Sequence, residues 1–146
     1  MRSYFLFLIP FLLHGCGASE YSTMTEDYRQ ALSTEELRNL SFHVSTRMDF
    51  VALAPGEIVG EDIFRHEVKR MIVIETDTPG SVMASGPQWL TVGFHGGVML
   101  TFRWDPISEK YLTPGWGTVT VQNERFDLKQ GVLSGGYVEL LVRKTK

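Results

Sequence analysis

Cysteine occurs only once in the chain, at Cys16. A single cysteine excludes an internal disulfide and any cysteine-rich metal centre. Long apolar runs are also scarce. The one uninterrupted run, Phe5 to Leu13 (FLFLIPFLL), is well short of the roughly 20 residues that an apolar helix needs to cross a bilayer. Excess positive charge is missing too: Lys and Arg number 14 against 17 Asp and Glu. A mildly acidic chain offers no basic stripe for a phosphate backbone, so nucleic acid is not expected as a partner.

Signatures of enzymatic chemistry are equally thin. His66-Glu67 is followed by Arg70 where a zinc-protease helix needs its second histidine. No serine stands in Gly-x-Ser-x-Gly, and Ser134 lacks the preceding glycine. The Gly96-Gly97, Gly115-x-Gly117 and Gly135-Gly136 pairs open no helix and read as turns, not as phosphate cradles. Beyond the apolar run, His43, His66 and His95 have no spacing that forces them onto one metal. They are expected to be solvated or capping, with no metal and no cofactor. No catalytic residue is assigned.

The chain does carry an export pattern. One positive charge at Arg2 precedes the apolar run, and Leu13-His14-Gly15-Cys16 closes it. Basic flank and short h-region fit a secretory signal. The closing tetrapeptide resembles the lipobox of bacterial lipoproteins, with His14 an unusual occupant of the tolerant position. The resemblance implies diacylglyceryl transfer to the Cys16 sulfur, cleavage after Gly15 and further acylation, for example by palmitate. Each buried methylene contributes about 0.8 kcal/mol, and two or more chains hold a protein to a membrane stably. Gly17, rather than Asp, after the cysteine implies sorting to the outer membrane, with the domain facing the periplasm. Loss of residues 1–15 removes only Arg2 among charged residues and moves the net charge from −3 to −4.

Past the cysteine, residues 16–30 are polar and aperiodic and read as a flexible tether. Residues 31–146 read as one β-rich domain. Ser33-Thr34-Glu35-Glu36 is a capping box that should start a short helix ending near Asn39, with Leu32, Leu37 and Leu40 on one side. From there the period is two. Phe42 to Phe50 reads as one strand with His43 and Asp49 on its wet face, and Ile63 to Ile74 as another. Ala54 to Glu57 reads as a turn, and Thr78-Pro79-Gly80 as a type II turn. Leu90, Val92 and Phe94 face Leu100, Phe102 and Trp104 across a His95-Gly96-Gly97 hairpin. Val119 and Val121 should pair with Phe126 and Leu128 across Asn123-Glu124, and Val138, Leu140 and Val142 end the core. This predicts an all-β fold, mainly antiparallel, as a small barrel or sandwich with one short N-terminal helix. From Leu37 to Arg143 the turn placement resembles small SH3-like barrels of periplasmic lipoproteins.

Two surface features stand out. Trp116 sits in a turn-rich loop, Thr113-Pro114-Gly115-Trp116-Gly117, with Tyr111 just before it and Trp89 in the outward register of its strand. Exposed aromatics on a loop mark a binding surface; the competing reading is that they plug the end of a small barrel. Arg65, Lys69 and Arg70 form a basic cluster that either meets a partner or anionic lipid, or is a solvated strand face. The expected function is that of a non-catalytic envelope lipoprotein binding a partner protein or stabilising an assembly. The alternatives are a module for peptidoglycan or a small ligand, and a hydrolase of envelope polymers. The hydrolase would need a cleft with paired carboxylates, or serine and histidine within hydrogen-bond reach.

Overall fold

The computed structural model describes residues 20–53, 68–130 and 136–144. The lipobox with Cys16, the turn at 54–57, Arg65, His66-Glu67 and Ser134 lie outside the described residues.

The fold is all-β and mainly antiparallel, in two sheets. The larger sheet contains β1 (Tyr21–Thr23), β2 (Phe42–Val44), β5 (Ser81–Gly86), β6 (Trp89–Gly93), β7 (Met99–Asp105), β8 (Lys110–Pro114) and β11 (Tyr137–Arg143). Its order is β1-β11-β8-β7-β6-β5, with β2 also on β11. The smaller sheet has the order β4-β3-β10-β9, from β3 (Met48–Leu53), β4 (Val68–Ile74), β9 (Thr118–Val121) and β10 (Glu124–Gln130). Both sheets bury one face in a shared core that includes Phe50, Ile74 and Phe126 from the smaller and Leu90, Phe102 and Leu140 from the larger. Neither closes into a barrel. The ends of the larger sheet touch at one residue pair, Phe42 and Gly80, which exchange backbone hydrogen bonds of 2.8 and 2.9 Å.

The β6–β7 hairpin follows the sequence pattern. Leu90 faces Phe102 and Val92 faces Leu100, all buried, while Thr91 and Thr101 join their hydroxyls on the outer face at 2.9 Å. Trp104 is half-buried against the core. Helix α2 (Thr34–Asn39) has its full capping box and ends where expected, with Leu37 buried and Leu32 and Leu40 packed beside it.

Several expectations are corrected. Phe42 to Phe50 is not one strand: β2 ends at Val44 and joins β11, and β3 starts at Met48 in the other sheet. All three β2 residues are buried, so His43 is a core side chain rather than a wet one. Asp49 is buried too, and Arg47 neutralises it at 2.7 Å. The turn before β5 is at Glu75–Thr78, where Thr78 N–H reaches the Glu75 carbonyl at 3.0 Å. Gly80 is selected by space: a Cβ there would lie 2.6 Å from both the Phe94 ring and Val92. The β9–β10 turn falls one residue earlier than expected, at Gln122-Asn123, both with positive φ as a two-residue hairpin requires. Val121 therefore faces Glu124 and Val119 faces Phe126, in place of the pairs centred on Asn123-Glu124.

The tether is the largest correction. Within the expected tether, residues 21–30 belong to the fold. Strand β1 pairs with the end of β11, Met24 is fully buried, and a second helix, α1 (Glu26–Ala31), is capped by Thr25. This helix buries no residue of its own, so it leaves no apolar period in the sequence. Its anchor is polar. The Tyr111 hydroxyl, fully buried with its ring, donates to the Glu26 carboxylate, which also accepts from Arg29 at 2.7 and 2.8 Å.

Candidate binding face

The Trp116 loop is held by main-chain bonds to both sheets. Gly115 N–H donates to the Gly136 carbonyl next to β11 at 3.0 Å, and Leu128 N–H of β10 donates to the Gly117 carbonyl at 2.9 Å. Gly117 has φ +111°, a value that favours glycine, with open space where a side chain would stand. Pinned this way, Trp116 stays 48% exposed and meets the ring of Tyr137 edge-on, centroids 5.3 Å apart. Tyr137 is 57% exposed.

Two grooves flank this aromatic pair. One, of about 290 Å³, lies between the sheets and is bordered by Met99 and Thr101 of β7, Pro114, Trp116 and Thr118. The other, of about 480 Å³, is bordered by Arg103, Trp104, Asp105, Leu112, Pro114 and Tyr137. They share Thr101 and Pro114 on their borders. Met99 is exposed at its edge; its cross-strand partner Gly93 lies under Met83, also exposed. The exposed apolar side chains here are thus Met83, Met99, Trp116 and Tyr137, with Met99 and Trp116 bordering one groove and Trp116 and Tyr137 in ring contact. Such groupings on small domains mark interaction sites.

The charge at the larger groove is asymmetric. Asp105 is occupied by its own turn, accepting from the Ser108 hydroxyl at 2.6 Å and from the Ser108 backbone at 3.1 Å. These bonds hold its carboxyl below the usual aspartate value. Arg103 is exposed and has no hydrogen-bond or ion-pair partner among the described residues.

The sequence-derived candidates divide accordingly. Trp116 is on the surface, not a core plug. Trp89 is half-buried on the outer face of β6, opposite Arg103 and lying over Gly86. Tyr111 is corrected: it belongs to the buried register of β8 with Thr113 and is absent from the surface. Of the basic cluster, Arg65 and the Lys69 side chain lie outside the described residues. Arg70 is engaged, 3.6 Å from Glu124 and with its guanidinium 5.7 Å from the Phe126 ring centroid. Tyr137, Arg103 and Met99 were not singled out from sequence. Their signal is parity: each is a large side chain on the outward phase of a strand whose alternate residues are core.

A serine and a histidine do meet. Ser41 Oγ lies 3.0 Å from His43 Nε2. Among the described residues, no carboxylate or other side chain bonds His43 Nδ1 to orient the ring as a nucleophilic site requires, and neither residue borders the grooves described above. Burial holds the imidazole below its ordinary value of 6.5, with Arg143 adding to the effect against the Thr76 backbone, Asp77 and Glu20. Among the described residues no cluster of His, Cys, Asp or Glu is placed to hold a metal ion. No described helix is long and apolar enough to cross a membrane. In comparisons with protein families, curated proteins and solved structures, nothing matches the chain.

Proposed function

We propose that this chain is a lipid-anchored bacterial envelope protein whose β domain binds a partner protein through the face built on Trp116 and Tyr137, without catalysis of its own. The observation that carries the binding half is the exposed edge-on pair Trp116–Tyr137 beside the groove that Met99 borders. The anchoring half rests on Leu13-His14-Gly15-Cys16 behind its apolar run. The two fit together spatially. The described residues begin at Glu20, whose carbonyl accepts from Lys144 N–H, and Gly17, Ala18 and Ser19 separate it from Cys16 in the sequence. At no more than about 3.3–3.6 Å per residue this holds Glu20 within about 14 Å of an anchored Cys16. Tyr21 pairs with Arg143, and Tyr137 is at the far end of the same strand. With a rise of about 3.4 Å per residue, β11 would carry the binding face roughly 20 Å from the anchored end.

A second reading, a module for peptidoglycan or a small ligand, has one supporting feature. The groove of about 480 Å³ combines aromatic walls with Arg103.

Two experiments test the proposal. Mass spectrometry of the protein from its native host should show a chain starting at Cys16 and carrying acyl mass, and Cys16→Ser should release the domain from membranes. An intact Met1 terminus would refute the anchor. Trp116→Ala should leave stability within about 1 kcal/mol, as exposed substitutions do, and should weaken capture of the partner in crosslinked cells. Unchanged capture by a stable variant would move the interaction away from this face.

A further inference from the structure

We propose that the β7–β8 turn, with Ile107 at its tip, is a second membrane contact: it dips into the lipid surface beside the acylated end of the chain and sets how the domain stands there. This rests on the anchoring half of the function proposed above and adds what a lipid on Cys16 alone does not fix, the orientation of the domain.

The turn holds one apolar side chain in the open. Ile107 is 93% exposed, against 40–60% for the other large exposed hydrophobic side chains among the described residues. Turns ordinarily use Gly, Pro, Asn, Asp or Ser, and Ile107 has no place in the core cluster. The backbone around it is fixed. Asp105 accepts from the Ser108 hydroxyl at 2.6 Å and from the Ser108 N–H at 3.1 Å, and Pro106 locks φ just before the tip. A β-branched side chain on such a backbone has little rotamer freedom to lose when it is buried.

The strand register brings this tip to the anchored end. Strand β8 is antiparallel to β11, with Pro114 opposite Tyr137 and Leu112 opposite Glu139. The run from Pro114 back to Lys110 therefore points the same way as the run from Tyr137 to Arg143. Beyond Lys110, the partner of Asp105, comes the turn. Beside Arg143 stands Tyr21, at the start of β1. From the Leu112–Glu139 pair, Ile107 along β8 and Arg143 along β11 are each about 14 Å away at about 3.4 Å per residue. Side chains brace the hairpin to the N-terminal elements. Glu139 accepts from Lys110 Nζ at 2.7 Å and from the Thr23 hydroxyl of β1 at 2.6 Å, and the Tyr111 hydroxyl donates to Glu26 of α1. Tyr137, with Trp116 against it, is at the opposite end of β11.

The short link from Cys16 to Glu20 is what selects a lipid surface as the occupant. One isoleucine is too weak to hold a free domain on a membrane, but an acylated Cys16 makes its insertion intramolecular and raises its effective concentration there. Charge at this end is balanced. Arg143 pairs with Glu20 and Lys110 with Glu139, and exposed Lys144 and Glu109 are of opposite sign. The contact is therefore apolar, following the area that Ile107 removes from water, and needs no anionic lipid.

The test uses the acylated protein from its host, reconstituted into vesicles of phosphatidylethanolamine and phosphatidylglycerol. With the Cys16 sulfur acylated, Ile107→Cys supplies one free thiol for an environment-sensitive fluorophore. Its emission should shift to the blue and be quenched by lipids carrying a nitroxide near the headgroup, whereas the same label on Tyr137→Cys should report water. A label on Glu109→Cys should also be quenched, and adding Ile107→Asp should abolish that quenching. Replacing phosphatidylglycerol with phosphatidylcholine should change neither result. Acyl mass on a chain whose label at 107 is as water-exposed as at 137 would overturn the contact and leave the anchor standing. Quenching at 109 that survives Ile107→Asp, or that needs phosphatidylglycerol, would overturn the role given to Ile107. A host protein without acyl mass would overturn the anchor and this contact together.

Discussion

Phe102→Ala is expected to lower the unfolding free energy by about 3–5 kcal/mol, the range for truncating a buried aromatic side chain. Phe102 is fully buried, pairs across the hairpin with fully buried Leu90, and belongs to the core shared by both sheets. The neighbouring change Thr101→Ala points the other way. It deletes an exposed hydroxyl bonded to Thr91 and should cost about 1 kcal/mol or less, as exposed cross-strand pairs do. Urea midpoints of the two variants measure the contrast directly. Equal shifts would mean that the face assignment of β7 is wrong, and with it the outward position of Arg103.

That contrast is where the sequence was most legible. In β6, β7 and β11 one face meets the core and the other meets solvent, so burial alternates with period two and the hydrophobic pattern repeats it. The pattern fails where both faces are covered. In β2 all three residues are buried, with β11 on one edge, a contact to Gly80, and the Tyr21 ring 4.6 Å from His43. There polarity says nothing about direction, and His43 reads wrongly as solvated. Helix α1 fails for the opposite reason: it buries nothing, so only its Thr25 cap marks it.

The candidate site was half legible. Trp116 is marked locally by the glycines and proline around it. Tyr111 was misplaced because it was read by its nearness to that loop instead of by its parity in β8, which it shares with buried Thr113.

Acid should unfold the domain partly through Glu26. Its carboxyl is held down at about 2 from an ordinary 4.5, first by the Arg29 guanidinium and then, against the opposing effect of burial, by the Tyr111 hydroxyl and Gln30. Burial, and then the same contact, push the Tyr111 phenol well above its usual value. Between pH 4.5 and 2 the unfolded chain binds a proton at Glu26 that the folded chain does not, so stability rises with pH across that window. The contribution is complete above 4.5 and is lost as pH falls through about 2. With the Glu26 side chain only 12% exposed, solvent screening is modest, and the contribution amounts to about 2–3 kcal/mol. Glu26→Gln should therefore be destabilised relative to the parent at pH 7, and the gap should close as both approach pH 2. Arg29→Ala should move the acid midpoint upward further than Tyr111→Phe, because the guanidinium is the larger cause. His43 adds a loss that begins higher, below 6.5, since its folded form resists protonation; it is common to parent and variant and cancels in the difference. Urea unfolding at a series of pH values gives the comparison. A gap between parent and Glu26→Gln that stayed constant down to pH 2 would mean that the Glu26 charge contributes nothing to holding α1 on β8.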